Sequence, residues 1–138
     1  MFTNSGLRKR PFVALVVEDD PEIALILGDG LRDVGFRVIY AHNSAEAISI
    51  LSNENNQDLG CVLLDLHLET ATSGEKLIQC VRSMPDGRAH TPILVMSSFL
   101  DKDVAARIAG KVQGMLAKPF SIEHLIERVK AVSKHRSD

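Results

Sequence analysis

Apolar and polar positions along the chain follow two rhythms that alternate from one end to the other. Short unbroken apolar runs occur at Val13-Ala14-Leu15-Val16-Val17, Cys61-Val62-Leu63-Leu64, Ile93-Leu94-Val95-Met96 and Met115-Leu116-Ala117. Each is bounded by turn residues, the pattern of a buried parallel strand. Strands are predicted over about 12–17, 36–41, 59–64, a run introduced by Pro92, and 114–117. Between them, apolar residues recur at helical spacing. Pro21 opens the first helix, where its missing N–H costs nothing; Ile23, Ile26, Leu27, Leu31 and Val34 recur along it, and Gly35 stops it. Ser44 is the expected cap of a second helix carrying Ala47, Ile48 and Leu51. After a loop over 67–73, a third helix turns Leu77, Ile78 and Val81 inward, and Pro85-Asp86-Gly87 breaks the chain. Asp101 is the expected cap of a helix bearing Val104 and Ile108. Ser121 starts the last one, striped by Ile122, Leu125, Ile126, Val129 and Val132.

Five strand–helix units with short connections predict an α/β fold, because each parallel crossover must be right-handed. For five units the common arrangement is a doubly wound five-stranded parallel sheet, order 2-1-3-4-5, a flavodoxin-like (βα)5 architecture. Its switch point lies between strands 1 and 3. Ligands bind there, at the carboxyl edge.

Composition narrows the classes. The 138 residues accommodate one domain, and 45% hydrophobic with 25% charged residues is ordinary for a globular protein. A net charge of -2 gives no support for nucleic acid as a partner. The basic clusters Arg8-Lys9-Arg10 and Lys134-His135-Arg136 read as solvated ends. No signal peptide and no apolar stretch near ~18–20 residues is present, so no membrane partner and a cytoplasmic location are expected. Cys61 and Cys80 read as reduced thiols. Residues 1–10 are expected as an N-terminal tail, 11–134 as the domain and 135–138 as a C-terminal tail.

The candidate chemistry sits just after the apolar runs: Glu18-Asp19-Asp20, Asp65, Ser97-Ser98 and Lys118-Pro119. In parallel strands these converge on one sheet edge. Glu18, Asp19 and Asp65 in one crevice would repel unless a cation sat among them. Oxygen ligands favour Mg²⁺, with Mn²⁺ as an alternative. Lys118 adds a positive charge suited to a phosphoryl oxygen, and Ser97 a hydroxyl donor. Asp65 is then free as a nucleophile forming an acyl phosphate. Any one of these residues has an ordinary structural explanation: an acid at a helix start, a serine in a turn, a lysine in a loop. Four such residue types at four strand ends form a much more specific signal.

The chain resembles the receiver domain of bacterial two-component response regulators, of single-domain type, from about Arg10 to Lys134. The motifs are Val-Val-Glu18-Asp19-Asp20-Pro21, Leu63-Leu64-Asp65-Leu66, Pro92-Ile-Leu-Val-Met-Ser97 and Lys118-Pro119-Phe120. The resemblance implies a phosphoacceptor at Asp65. It implies Mg²⁺ held by Glu18, Asp19, Asp65 and the backbone carbonyl of His67, with Asp19 more direct than Glu18. It assigns Ser97 as the switch hydroxyl, Lys118 as the phosphate-pairing lysine, and a cis peptide before Pro119. His67 and Phe99 match positions that tune phosphoryl lifetime, here by shielding the path of attacking water. The implied phosphodonor is a histidine kinase or histidine phosphotransfer protein. A downstream protein would bind over about Lys102 to Lys134, and the chain would act in signalling rather than as an enzyme, assisting its own phosphotransfer and dephosphorylation. No output domain is expected within these residues, and a stand-alone regulator, a phosphorelay shuttle and a segment of a longer protein all fit.

Three positions depart from the pattern: Glu69 replaces the usual proline, Gly74 is displaced by one residue, and Met115 replaces the usual Tyr or Phe of the switch. Methionine is flexible enough to move inward behind Ser97. These departures motivate an alternative, a receiver-like binding module that has lost the switch. A haloacid-dehalogenase-like phosphatase would need an acid where His67 stands. An FMN carrier would not put three acids after its first strand, and Gly28-Asp29-Gly30 lies inside a helix, not a phosphate loop. His42, His90, His124 and His135 read as surface residues without evident partners.

Overall fold

A computed structural model describes residues 12–133 except 54, 56, 57, 69, 71, 72 and 100. Both terminal basic clusters, both tails and Glu69 therefore lie outside the described residues. The elements run β1 (Val13–Val17), α1 (Pro21–Asp33), β2 (Arg37–Ala41), α2 (Ser44–Leu51), β3 (Leu59–Asp65), α3 (Ser73–Arg82), a 3-10 turn (Gly87–His90), β4 (Ile93–Ser97), α4 (Lys102–Ile108), β5 (Gly114–Ala117) and α5 (Ile122–Val132). All five strands are parallel, in the order β2-β1-β3-β4-β5. The expected architecture is the observed one.

The apolar runs are continuous because the sheet is covered on both faces. Alternate residues of each strand feed opposite cores. Leu15, Val17, Val62, Leu64 and Val95 meet α2, α3 and Ile108 of α4, while Val16, Leu63, Leu94 and Met96 meet α1 and α5. Gly28 permits close packing of α1 on β2: a methyl there would overlap the Tyr40 hydroxyl and lie 2.7 Å from its ring carbon Cζ. Gly35 closes α1 at φ 101°, a left-handed conformation that suits glycine.

Local details correct several expectations. Asn43, not Ser44, caps α2; its side chain accepts from the Glu46 N–H, and Ser44 is the first helical residue. Either residue type can cap, so the pattern left a one-residue ambiguity. His42 does have a partner: its backbone N–H donates to Glu46 Oε1 at 2.6 Å, and its Nδ1 lies 3.2 Å from the same oxygen. Ile23, Ile26 and Ile48 share helical spacing with core residues yet face solvent, exposed by 38%, 56% and 40%. Small residues take the inner face of α1, where Ala24 and Gly28 are buried with Leu27 and Leu31.

Two arginines brace the edge opposite the strand ends. Arg88, 6% exposed, donates to Asp86 through Nε and Nη2 and to the Leu51 carbonyl at 2.6 Å. Arg82 donates to the carbonyls of Ala89, Thr91 and Lys111. The loops beneath the sheet are thus held by charged donors reaching backbone acceptors.

Candidate phosphoacceptor site

The ladder continues past the strand ends and delivers the chemical residues to one edge. Glu18 N–H donates to the Ala41 carbonyl, Leu66 N–H to Met96, and Lys118 N–H to Ser97, at 2.8–3.0 Å. Each bond prolongs a parallel pair by one residue. Glu18, Asp65, Ser97 and Lys118 therefore stand side by side at the carboxyl edge.

The first acidic cluster divides its labour. Asp20 caps α1, its carboxylate accepting the N–H groups of Glu22 and Ile23. Glu18 turns inward and is 1% exposed; Asp65 is 5% exposed. Lys118 Nζ bridges them, 3.2 Å from Glu18 Oε1 and 3.3 Å from Asp65 Oδ2. Asp65 Oδ1 accepts the His67 N–H at 2.9 Å, and Glu18 Oε2 the Asp20 N–H at 3.2 Å. The peptide bond between Lys118 and Pro119 is cis.

Burial pushes the Glu18 carboxyl above its ordinary value of 4.5, and the neighbouring Asp65 adds to the rise. Burial alone would lower Lys118, but the facing carboxylates of Asp65 and Glu18 outweigh it and hold the ammonium above its ordinary 10.5. The lysine therefore stays charged, yet one cation does not relieve the acids fully. Glu18, exposed Asp19 and Asp65 each offer an oxygen, and these oxygens lie within 4.8 Å of one another. A divalent hard cation fits this donor set: it has oxygen ligands only, excess negative charge and one open side at Asp19.

Ser97, 4% exposed, reaches the same edge but is engaged elsewhere. Its Oγ donates to the Phe99 carbonyl at 2.7 Å and accepts the Phe99 N–H at 3.2 Å. His67 Nε2 lies 2.8 Å from both Ser97 Oγ and the Phe99 carbonyl oxygen. The Phe99 side chain is 72% exposed. Met115 is half-buried on β5, opposite Val95, and packs into the core on the α4 side of the sheet. Gly74 has a steric reason: a Cβ there would come within 2.9 Å of the Leu66 carbonyl oxygen, just past the end of β3.

One feature of the site escaped the sequence pattern. The exposed Ile23 and Ile26 of α1 join Leu27, Ser98, Lys118, Pro119, Phe120 and Ile122 around a largely apolar groove of about 490 Å³. It opens beside the lysine. Helical periodicity had no means of separating these isoleucines from the buried face.

Parallel-sheet topology with an acid pair, an aspartate, a hydroxyl and a lysine at the carboxyl edge is the arrangement of a receiver domain of the two-component type. The family model for the response regulator receiver domain matches residues 14–130, and the chain belongs to that family. Among curated relatives, the transcriptional regulatory protein PrrA of Mycobacterium tuberculosis is 35% identical over 124 residues, covering 88% of this chain and 50% of PrrA. The chain spans about half the length of the curated relatives it matches. Among solved structures, a response regulator receiver protein from Pseudomonas putida superposes with a TM-score of 0.77 at 28% identity, covering 91% of this chain and 99% of that one. The Mn²⁺-bound form of the response regulator Rcp1 shares the fold, with a TM-score of 0.69 at 22% identity and coverage of 88% and 91%. No helix among the described residues is long and apolar enough to cross a membrane.

Proposed function

We propose that Asp65 is the phosphoacceptor of this receiver domain and takes a phosphoryl group from a phosphohistidine on a kinase or phosphotransfer protein. The observation that carries this reading is the bridging of buried Glu18 and Asp65 by Lys118 at 3.2 and 3.3 Å, with Asp19 beside them. An Asp65 carboxylate oxygen attacks phosphorus, a P–O bond forms, and the P–N bond breaks with its electron pair returning to the donor imidazole. Lys118 takes up the phosphoryl oxygen charge. Mg²⁺ or Mn²⁺, held by Glu18, Asp19, Asp65 and the His67 carbonyl, would neutralise the remaining oxygens. The His67 N–H on Asp65 Oδ1 fixes the carboxylate orientation.

The phosphodonor docks over the apolar groove between Ile23 and Phe120, which puts its histidine beside Lys118. The downstream partner uses the face from α4 to α5, and the protein works in the cytoplasm. His67 and Phe99 tune the lifetime of the acyl phosphate, and Met115 takes the place of the usual aromatic in the switch. The alternative, a binding module without the switch, draws on Met115 and the engagement of Ser97.

Labelling with acetyl phosphate separates the two readings. Wild type takes up phosphate with Mg²⁺ and not with EDTA, and Asp65→Asn takes up none. Absence of label in wild type at saturating donor overturns the phosphoacceptor reading. Asp19→Ala abolishes the Mg²⁺ titration while leaving the circular dichroism unchanged; an unaltered titration moves the metal elsewhere.

A further inference from the structure

The hydrogen bonds of Ser97 carry an inference about His67. A hydroxyl has one proton to give and two lone pairs to offer. The Ser97 proton goes to the Phe99 carbonyl, and one lone pair receives the Phe99 N–H. The Phe99 carbonyl can only accept, so the 2.8 Å approach of His67 Nε2 to that oxygen requires a proton on Nε2. The same N–H lies 2.8 Å from Ser97 Oγ, and there it fills the second lone pair. The hydroxyl is thereby saturated. It has no proton free for a phosphoryl oxygen.

His67 leaves the end of β3 and Ser97 ends β4, and the two strands are neighbours with Asp65 opposite Met96. The imidazole therefore spans the two loops that flank the phosphoacceptor. The imidazole itself is exposed, but the hydroxyl it reaches belongs to a residue only 4% exposed, so one side of the contact is closed to water. We infer that His67 is a positioning residue for Ser97: its ring pins the hydroxyl to the Phe99 backbone, and a phosphoryl group on Asp65 recruits Ser97 only by breaking that hold. The inference rests on Asp65 as the phosphoacceptor, and it differs from shielding of attacking water because the ring acts on the switch hydroxyl itself. The backbone N–H of residue 67 on Asp65 is untouched by side-chain substitution, so the two contributions of this residue separate cleanly.

The test uses the full chain, Mg²⁺ and beryllofluoride, an anionic mimic of the phosphoryl group that needs no phosphodonor. His67→Ala binds the mimic about fivefold more tightly than wild type, the factor expected for one lost hydrogen bond of ordinary net strength. His67→Gln, which keeps an N–H of similar reach, returns to wild-type affinity. In a Ser97→Ala background, His67→Ala has no effect on affinity. Without the mimic, amide exchange at Phe99 is about fivefold faster in His67→Ala, because the hydroxyl that accepts the Phe99 N–H is released, and His67→Gln restores protection. Unchanged or weaker binding by His67→Ala, or an equal gain in the Ser97→Ala background, overturns the inference. Unchanged Phe99 exchange overturns it as well. Wild type that fails to bind the mimic removes the phosphoacceptor reading and the inference that rests on it; loss of Phe99 protection alone then reports only loop packing.

Discussion

Replacing Lys118 by methionine isolates the electrostatics of the site. The substitution keeps most of the side-chain volume and removes the charge that bridges two buried acids. Side-chain exposure is 2% for Glu18, 8% for Asp65 and 23% for Lys118. Removing one partner of a fully buried pair costs about 3–5 kcal/mol. Partial exposure of the lysine reduces this to about 2–3 kcal/mol, a large share of a typical stability of about 5–15 kcal/mol. Urea unfolding in EDTA at pH 7.5 (roughly a unit above the usual imidazole range) should show that loss. The loss should shrink on acidification. Glu18 already sits above 4.5 in the fold, so its ionised form is a burden that protonation removes, and stability is lost as pH rises through its folded value.

Metal should reverse the defect. At a hundredfold excess over Kd, a ligand that binds only the folded state adds about 2.7 kcal/mol. Without the competing ammonium, Mg²⁺ binds the Lys118→Met variant more tightly, so the gap to wild type closes by half or more in saturating Mg²⁺. A variant as stable as wild type in EDTA would refute the reasoning, since the acids would then not depend on Lys118. A gap that persists or widens with Mg²⁺ would refute the placement of the metal among them.

Other outcomes follow from packing and charge elsewhere. The buried Tyr40 hydroxyl has no hydrogen-bond partner among the described residues, so Tyr40→Phe should raise stability by about 1 kcal/mol in urea unfolding. Gly28→Ala should cost about 1–3 kcal/mol by overlap with Tyr40, and less in the Tyr40→Phe background. The Arg88 guanidinium holds the Asp86 carboxyl below its ordinary 3.8, so this pair stabilises the fold above that value and the benefit is lost as pH falls through the lower folded value. Asp86→Asn should therefore flatten the acid limb of the stability profile, read by thermal melts from pH 5 down to pH 2, a window spanning the usual carboxylate range of about 4. Burial pushes the Cys61 thiol up to about 12, whereas Cys80 is half-buried on α3. A thiol reagent should label Cys80 and leave Cys61 unmodified until the protein unfolds; rapid labelling of Cys61 in the native state would contradict its placement in β3.

The sheet was legible because parallel strands covered on both faces need unbroken apolar runs, and each run here ends in a polar residue at the carboxyl edge. The same logic brings Glu18, Asp65, Ser97 and Lys118 together from the sequence alone. Helix faces were less legible. Ile23 and Ile26 satisfy the spacing of a core stripe, yet Ala24 and Gly28 take the inner positions because β2 brings Tyr40 close to α1. Periodicity counts apolar residues and does not register how near the neighbouring element comes. Asn43 and Ser44 are both competent caps, so only the backbone conformation separates them. Half-buried Arg82 and buried Arg88 gave no sequence signal, since most of their partners are backbone carbonyls, which no side-chain pattern marks. For the same reason the sequence suggests a shielding role for His67 and does not reveal the contacts of its ring. Its nearest polar atoms belong to residues about thirty positions away, Ser97 and Phe99.

The central claim is that Asp65 carries the phosphoryl group, and locating the label tests it most directly. After incubation with acetyl phosphate and Mg²⁺, peptide mapping should find one modification on the β3 segment Leu59–Asp65, labile to hydroxylamine as an acyl phosphate is, and absent with EDTA. A label on any other residue, or one that persists in Asp65→Asn, would contradict the account.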